Sequence, residues 1–394
     1  MRNLLVLLLL VLSPLAASAQ FIKGHVALCD SLDGSYTTIY VPAVGVTAVA
    51  NGDGDYLVRG LTPGKYEVEY SHLGYQTLKK VVTVEDNKFT YTDVVLELQP
   101  VQLSSAFVLP NNQDPAQYIL KKMNEKAAAN KKKVAFTADI AYDMEGHNMD
   151  FVAGFLPKFL KNTLIAAAKM AGVGAVIRTA FDNTDFKVAA GLHRVYKNKK
   201  KTDSNQHIIS SNIELNAAQK KGFQKADVFL EENLFDDVYI TEVPWASKKK
   251  QKKFTYAGSY EENGKDVFIL KYSNGKKDNA EVHIVDGEWG ILKAEITSTG
   301  SIERINCRKV NGIYMPVGLN HSMTVDVLDA KEIDEWIANA KKMEENPDGV
   351  KMSMIERNMT KRLIKQIGKL EQAKAKGKPI EISVDFNYSV KYAK

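Results

Sequence analysis

Residues 54–76 read GDYLVRGLTPGKYEVEYSHLGYQ. Tyr56 and Val58 alternate with Leu57 and Arg59, the pattern of a half-buried strand. Thr62-Pro63-Gly64-Lys65 is a turn signal. Proline presets φ at the first central position, and glycine accepts positive φ. Beyond the turn, Tyr66, Val68 and Tyr70 share one face and Glu67 and Glu69 the other. The stretch therefore predicts a β-hairpin with one face in a core. Working outward, residues 22–26, 44–49, 78–84 and 92–98 also alternate as strands. Seven or so short strands at this spacing predict a β-sandwich over residues 20–100.

The order Gly24-x-Val26, Val44-x-Val46-x-Ala48, Asp53-Gly54-x-Tyr56, Leu61-x-Pro63-Gly64-x-Tyr66 and Gly74-Tyr75 resembles the carboxypeptidase regulatory-like domain. That family is a small transthyretin-like sandwich found at the start of exported and outer-membrane proteins of Gram-negative bacteria. The likeness covers about a fifth of the chain and departs from the family at Asn51, where aspartate is usual. It implies an accessory domain, not a catalytic one. The residues agree. A zinc hydrolase needs histidines and an acid converging on one metal, and none of the seven histidines begins a His-x-x-Glu pair. Residues 60–65 are one residue short of a phosphate loop, and 51–55 lack the later glutamate of a calcium loop; both read as turns. There is no Gly-x-Ser-x-Gly elbow, and neither cysteine has a nucleophile signature. The chain is expected to be no enzyme and to carry no cofactor or metal.

The chain starts with MRNLLVLLLLVLSPLAASAQ. Arg2, the apolar run from Leu4 to Leu12 and the small residues Ala17-Ser18-Ala19 predict a secretory signal peptide over 1–19. No other run of roughly 18 apolar residues occurs, so no transmembrane helix is expected in the mature chain. The 45% hydrophobic content suits a globular core, and the formal charge of +6 permits peripheral contact with an anionic membrane surface. No nucleic-acid motif occurs. Cys29 and Cys307 fall in different expected domains, which favours two free thiols over a disulfide.

Region 101–245 reads as largely helical. Asp114-Pro115 predicts a capped helix running to about Ala129. The following stretch, 151–177, places Phe151, Phe155, Phe159, Leu160 and Leu164 on one stripe, interrupted by Lys158, Lys161 and Lys169. Such a stripe either covers a sheet or contacts an apolar ligand or a membrane. The lysine runs at 197–201 and 248–253 read as solvated loops. The Asp-Pro-Ala-x-x-Ile-x-Lys-Lys helix and the Asp-Gly-x-Trp-x-Ile turn at 286–291 resemble the periplasmic part of bacterial outer-membrane proteins of unknown function, here without their β-barrel.

Region 246–394 predicts an antiparallel meander, punctuated by Asn263-Gly264, Asn274-Gly275, Asp286-Gly287 and Asn311-Gly312. Two helices over 329–345 and 353–370 and a last strand over 380–390 complete it. A sheet of this kind with covering helices resembles the half-barrel of lipoprotein-sorting factors. The expected fold is mainly β with helices (α+β). The expected role is a non-enzymatic binding or scaffolding protein of the periplasm, with outer-membrane association as a further expectation, acting on an envelope protein partner. The alternative is a carrier or sensor of lipid or lipoprotein with an apolar groove.

Overall fold

The computed structural model describes residues 20–86, 88–101, 113–147, 185–224, 230–275, 278–328 and 380–393, with isolated positions within 178–183 and 334–375. Residues 1–19, the 151–177 stretch and most of 329–379 lie outside the described residues. The chain divides into two compact units, Met1–Leu98 and Gln99–Lys394.

The first unit holds β1 (Gln20–Leu28), β2 (Thr38–Val41), β3 (Val46–Val49), β4 (Asp55–Leu61), β5 (Gly64–Ser71), β6 (Leu78–Val84), β7 (Thr90–Tyr91) and β8 (Val94–Leu96). One sheet runs β4-β1-β7, with β8 also on β1, and the other runs β3-β2-β5-β6. Both β7 and β8 lie parallel to β1, so they are two halves of one seventh strand. The predicted sandwich is present, with Ile22, Val26, Ile39, Val58, Val68 and Tyr70 fully buried between the sheets.

The hairpin expected at 54–76 is not one. Strand β4 pairs with β1, whereas β5 pairs with β2 and β6. Residues 62–63 carry the chain from one sheet to the other, and Tyr66 Oη fastens this arch by donating to Thr62 O at 2.9 Å. The tyrosines of the two strands therefore meet face to face across the core. Tyr56 Oη donates to Thr92 O at 2.6 Å, so Tyr70 must donate in the 2.9 Å contact between the two hydroxyls. Burial raises both phenols above their ordinary pKa.

Gly24 marks the closest approach in this unit. A Cβ there would lie 1.9 Å from the backbone oxygen of Thr92. Gly24→Ala should destabilise the sandwich by about 3 kcal/mol, the upper end of overpacking costs. In a thermal scan its transition should fall while that of the second unit holds; coincident loss of both would show that the units unfold together.

The second unit is built on one antiparallel sheet. Its strands are β9 (Phe136–His147), β10 (Phe186–Lys197), β11 (Lys200–Ser211), β12 (Phe254–Glu262), β13 (Lys265–Ser273), β14 (Asn279–Val285), β15 (Ile291–Ser298), β16 (Ser301–Val310), β17 (Ile313–Leu328) and β18 (Ile380–Tyr392). The order is β11-β10-β9-β18-β17-β16-β15-β14-β13-β12, ten strands that do not close into a barrel. The expected meander is β12–β17, and the Asn263-Gly264 and Asn311-Gly312 turns take the positive φ values of tight hairpins. The last strand returns as expected, pairing with β17 on one side and β9 on the other. Through it the region read as helical joins the same sheet, contributing β9, β10 and β11. No domain boundary therefore falls at 245/246.

That region also supplies helices α1 (Pro115–Lys131), α2 (Ala217–Gln224) and α3 (Leu234–Tyr239), and a 3-10 turn at Pro244–Ala246 and α4 (Lys248–Gln251) follow at its end. Asp114 caps α1 as predicted, accepting from the N–H groups of Ala116 and Gln117. Ile119, Leu120, Met123 and Ala127 of α1 join Phe223, Leu234, Phe235 and Trp245 over one face of the sheet. That face is apolar: Ile140 and Tyr142 of β9, Tyr388 and Val390 of β18, and Leu270 and Val282 of β13 and β14 all point into it. Each large apolar side chain withdrawn from water here contributes about 1.5–3 kcal/mol. Both cysteines are free thiols: Cys307 is buried in this core and Cys29 is exposed in the first unit.

Candidate functional site

Because side chains alternate along a strand, the other face of the ten-stranded sheet takes the intervening residues. Many of them are polar and form transverse rows, beside a small apolar cluster of Tyr260, Val267, Ile269, Val285 and Leu292. One row runs Lys271, Glu281, Glu295, Arg304, Asn320, Asn387 and Asp143, each opposite the next on the neighbouring strand. Four of its neighbouring pairs are joined: Lys271 to Glu281 at 3.0 Å, Arg304 to Glu295 at 3.0 Å, Arg304 to Asn320 at 3.1 Å and Asn320 to Asn387 at 2.8 Å. The adjacent row runs Ile269, His283, Lys293 and Asn306. A third carries Ser273, Asn279 and Thr297 at one end and Ser322, Asp385, Glu145 and Lys187 at the other. Near the middle of the sheet these groups are buried: Asn306, Asn320, Ser322, Asp385 and Asn387 all lie out of solvent. Buried polar groups are stable when hydrogen-bonded, and Asn320 and Asn387 bond each other within the row.

His283 is 1% exposed. Burial holds its imidazole below its ordinary pKa, so the ring is neutral at pH 7. Nε2 lies 2.8 Å from Glu281 and Nδ1 lies 2.9 Å from Tyr260 Oη. A carboxylate only accepts, so Nε2 carries the proton and Nδ1 accepts from the tyrosine. Burial pushes the Tyr260 phenol up. Burial alone would raise Glu281 too. The His283 hydrogen bond and Lys271 outweigh it and hold the carboxyl at about 2. Lys293, also 1% exposed, sits 5.4 Å from the centre of the Tyr260 ring and 3.9 Å from Glu262. Burial holds its ammonium below the ordinary lysine value. This network is closed: both nitrogens of the one buried imidazole are spent on neighbours.

The rows open at β12–β15 into a cleft of about 470 Å³, lined by Lys253, Thr255, Lys271, Tyr272, Ser273, Asn279, Ala280, Glu281, Glu295 and Thr297. Among the described residues no group of three or more His, Cys, Asp or Glu side chains is placed to hold a metal ion. The loop at 51–55 is a turn. Asn51 Oδ1 accepts from the N–H groups of Asp53 and Asp55 at 3.0 and 2.8 Å, and this occupies the side chain.

On the helix-covered face one acid stands out. Glu303 lies opposite Ile296 and His321. Burial raises its carboxyl to about 7, and Glu242 adds to the rise. The folded state thus binds this proton more tightly than the unfolded chain does. Stability from it is full below about pH 4.5 and is lost as pH rises through 7. Glu303→Gln should leave stability at pH 4.5 unchanged and raise it at pH 8 by on the order of 2–3 kcal/mol, read as the urea midpoint at each pH. An equal shift at both pH values would rule out a titrating Glu303.

The residues predicted as an apolar contact surface, Phe151, Phe155, Phe159, Leu160 and Leu164, lie outside the described residues. The polar face and its cleft were not foreseen. Their signal was the polar half of each alternating strand, which has meaning only once the register is known.

The first unit is a seven-stranded β-sandwich with its own core. Within it, residues 30–97 match the carboxypeptidase regulatory-like domain family. No curated protein matches the chain. Among solved structures, a type II cohesin–X-dockerin complex from Acetivibrio cellulolyticus is similar at 14% identity, over 27% of this chain and 70% of that one, with a TM-score of 0.17. A DUF1329 family protein from Desulfovibrio piger is similar at 9% identity, over 71% of this chain and 94% of that one, with a TM-score of 0.21. At these TM-scores neither likeness carries a functional argument.

Proposed function

We propose that the chain is an exported, non-enzymatic binding protein of the cell envelope, and that its sandwich docks a protein partner. One observation carries the docking. Of the nine large apolar side chains exposed among the described residues, six lie in the first unit: Leu32, Val81, Phe89, Tyr91, Val95 and Leu98. Tyr91 and Val95 follow one another along the seventh strand, Tyr91 being 70% exposed, and Phe21 packs against Phe89 in a tilted pair with ring centres 4.4 Å apart. Exposed apolar side chains that cluster mark interaction sites, and Phe21, Phe89, Tyr91 and Val95 along this edge form the proposed cluster. The closed His283 network supports binding over turnover, because a general base must reach its substrate. The alternative, an acyl-chain carrier, draws less support: side chains of α1, α2, α3 and Trp245 already fill the described apolar face of the large sheet. Export rests on the sequence of residues 1–19.

The test is a photo-crosslinking amino acid placed at Tyr91 or Val95 in cells, with Lys65 as control. The expected result is a discrete protein adduct from the first two positions and none from the third. Adducts with lipid alone, or equal adducts from all three positions, would sink this reading.

A further inference from the structure

We infer that the cleft across β12–β15 is a binding site for a neutral saccharide. Its floor consists of the ends of two transverse rows, Thr255–Lys271–Glu281–Glu295 and Ser273–Asn279–Thr297. Its volume of about 470 Å³ falls in the range of small-ligand sites and leaves room for a mono- or disaccharide.

The charges in the wall decide the ligand's chemistry. Lys271 is paired with Glu281 and Glu295 with Arg304, both at 3.0 Å. Lys253 donates to Asn274. Glu281 is further fixed by the buried His283 at 2.8 Å and cannot turn away to meet an incoming cation. An anionic ligand such as phosphate would face two carboxylates, and a cationic one would compete with Lys271 and Arg304. To reach Lys271 or either carboxylate a charged ligand must break an existing pair, leaving a partly buried charge without its partner, and Lys253, held by the Asn274 amide oxygen, is the lining cation outside those pairs. An apolar ligand finds little to bury against. Tyr272 and Ala280 turn their side chains into the opposite core, and the remaining lining is hydroxyl, amide or charged.

A neutral polyol meets neither obstacle. Each of its hydroxyls both donates and accepts, so it can meet the acceptor-only carboxylate of Glu295, the donor-only amide N–H groups of Asn279 and the threonine hydroxyls alike. Glu295 has a second oxygen beyond the one that holds Arg304. Asn279 accepts from Ser273 through Oδ1 at 2.7 Å and presents its amide N–H groups, while Thr255 and Thr297 add hydroxyls. No aromatic face is offered for stacking, so the affinity is modest.

The test is saturation-transfer NMR on the full chain with a panel of neutral mono- and disaccharides. L-glutamate, L-lysine and inorganic phosphate serve as charged probes. At least one neutral sugar is expected to bind, and Asn279→Leu/Thr297→Val should weaken it at least tenfold with the thermal transitions unchanged. Glu295→Gln should weaken it too. Absence of binding by every neutral sugar, tighter binding of a charged probe, or equal binding by the double variant would overturn the assignment. The crosslink at Tyr91 is read separately. Its survival in the double variant keeps the partner-docking reading distinct from this one.

Discussion

Trp245→Ala is expected to cost the second unit about 3–5 kcal/mol, the range for deleting a large buried aromatic side chain. Trp245 is fully buried in the core between the helices and the ten-stranded sheet. Three further contacts pass through it. Its indole N–H donates to Val238 O at 2.8 Å, at the end of α3. Its own carbonyl accepts from Gln251 Nε2 at 2.7 Å and from Asn124 Nδ2 of α1 at 3.3 Å. One residue thus joins α1, α3 and α4, and Gln117 Nε2 adds a second tie from α1 to Gln251 O at 2.8 Å. Trp245→Phe should recover most of the packing but leave the Val238 carbonyl without its donor, a residual loss of about 1 kcal/mol. Urea unfolding followed by circular dichroism would measure both. A loss under about 1 kcal/mol for the alanine variant would mean that the helical layer closes over the gap.

What the sequence revealed and what it hid divide along local and non-local lines. Asp114-Pro115 caps α1 because a cap needs only its own next three residues. Asn263-Gly264 and Asn311-Gly312 make their hairpins for the same reason. The stretch at 54–76 misled because alternation reports which face of a strand is buried, not which strand lies beside it. Tyr56 and Tyr70 point into one core from opposite sheets, and a hairpin would carry the same letters. In 136–147, Phe136, Ala138, Ile140, Tyr142 and Met144 do alternate. Their strand partners β10 and β18 are remote in sequence, so local reading favoured helix for the region. The polar rows were hidden most completely. Lys271 meets Glu281 across the loop at 274–278, whose length fixes no register in advance. Asn320, which meets Arg304 on the neighbouring strand, reaches Asn387 only after β18 returns from the far end of the chain.

Arg194→Met should be as damaging as the loss of Trp245, for an electrostatic reason. Arg194 is wholly buried on β10 and grips Asp203 on β11 with two bonds, Nε to Oδ1 at 2.8 Å and an Nη to Oδ2 at 3.0 Å. Its other Nη donates to Glu231 O at 3.0 Å, and Glu231 N in turn donates to Asp237 Oδ1 at 2.9 Å. Burial would raise the Asp203 carboxyl, but the Arg194 hydrogen bonds and charge outweigh it and hold the carboxyl below its ordinary value. Methionine keeps much of the volume and removes the charge. Asp203, its side chain 10% exposed, then keeps only Lys201 at 3.4 Å, so the loss should approach about 3–5 kcal/mol, the cost of an uncompensated buried charge. The double variant Arg194→Met/Asp203→Leu removes both charges and should regain most of that loss, since apolar replacement of a buried pair is often neutral. The pH dependence provides an independent check. A carboxyl with a depressed pKa contributes stability above its unfolded value near 3.8, and that stability is lost as pH falls through the folded value. The stability gap between the native chain and Arg194→Met should therefore be full at pH 7 and narrow below pH 4. The double variant should show no such narrowing. If it is as unstable as the single one at pH 7, the guanidinium acts mainly through Glu231 O and the Asp237 turn, and not through its partner carboxylate.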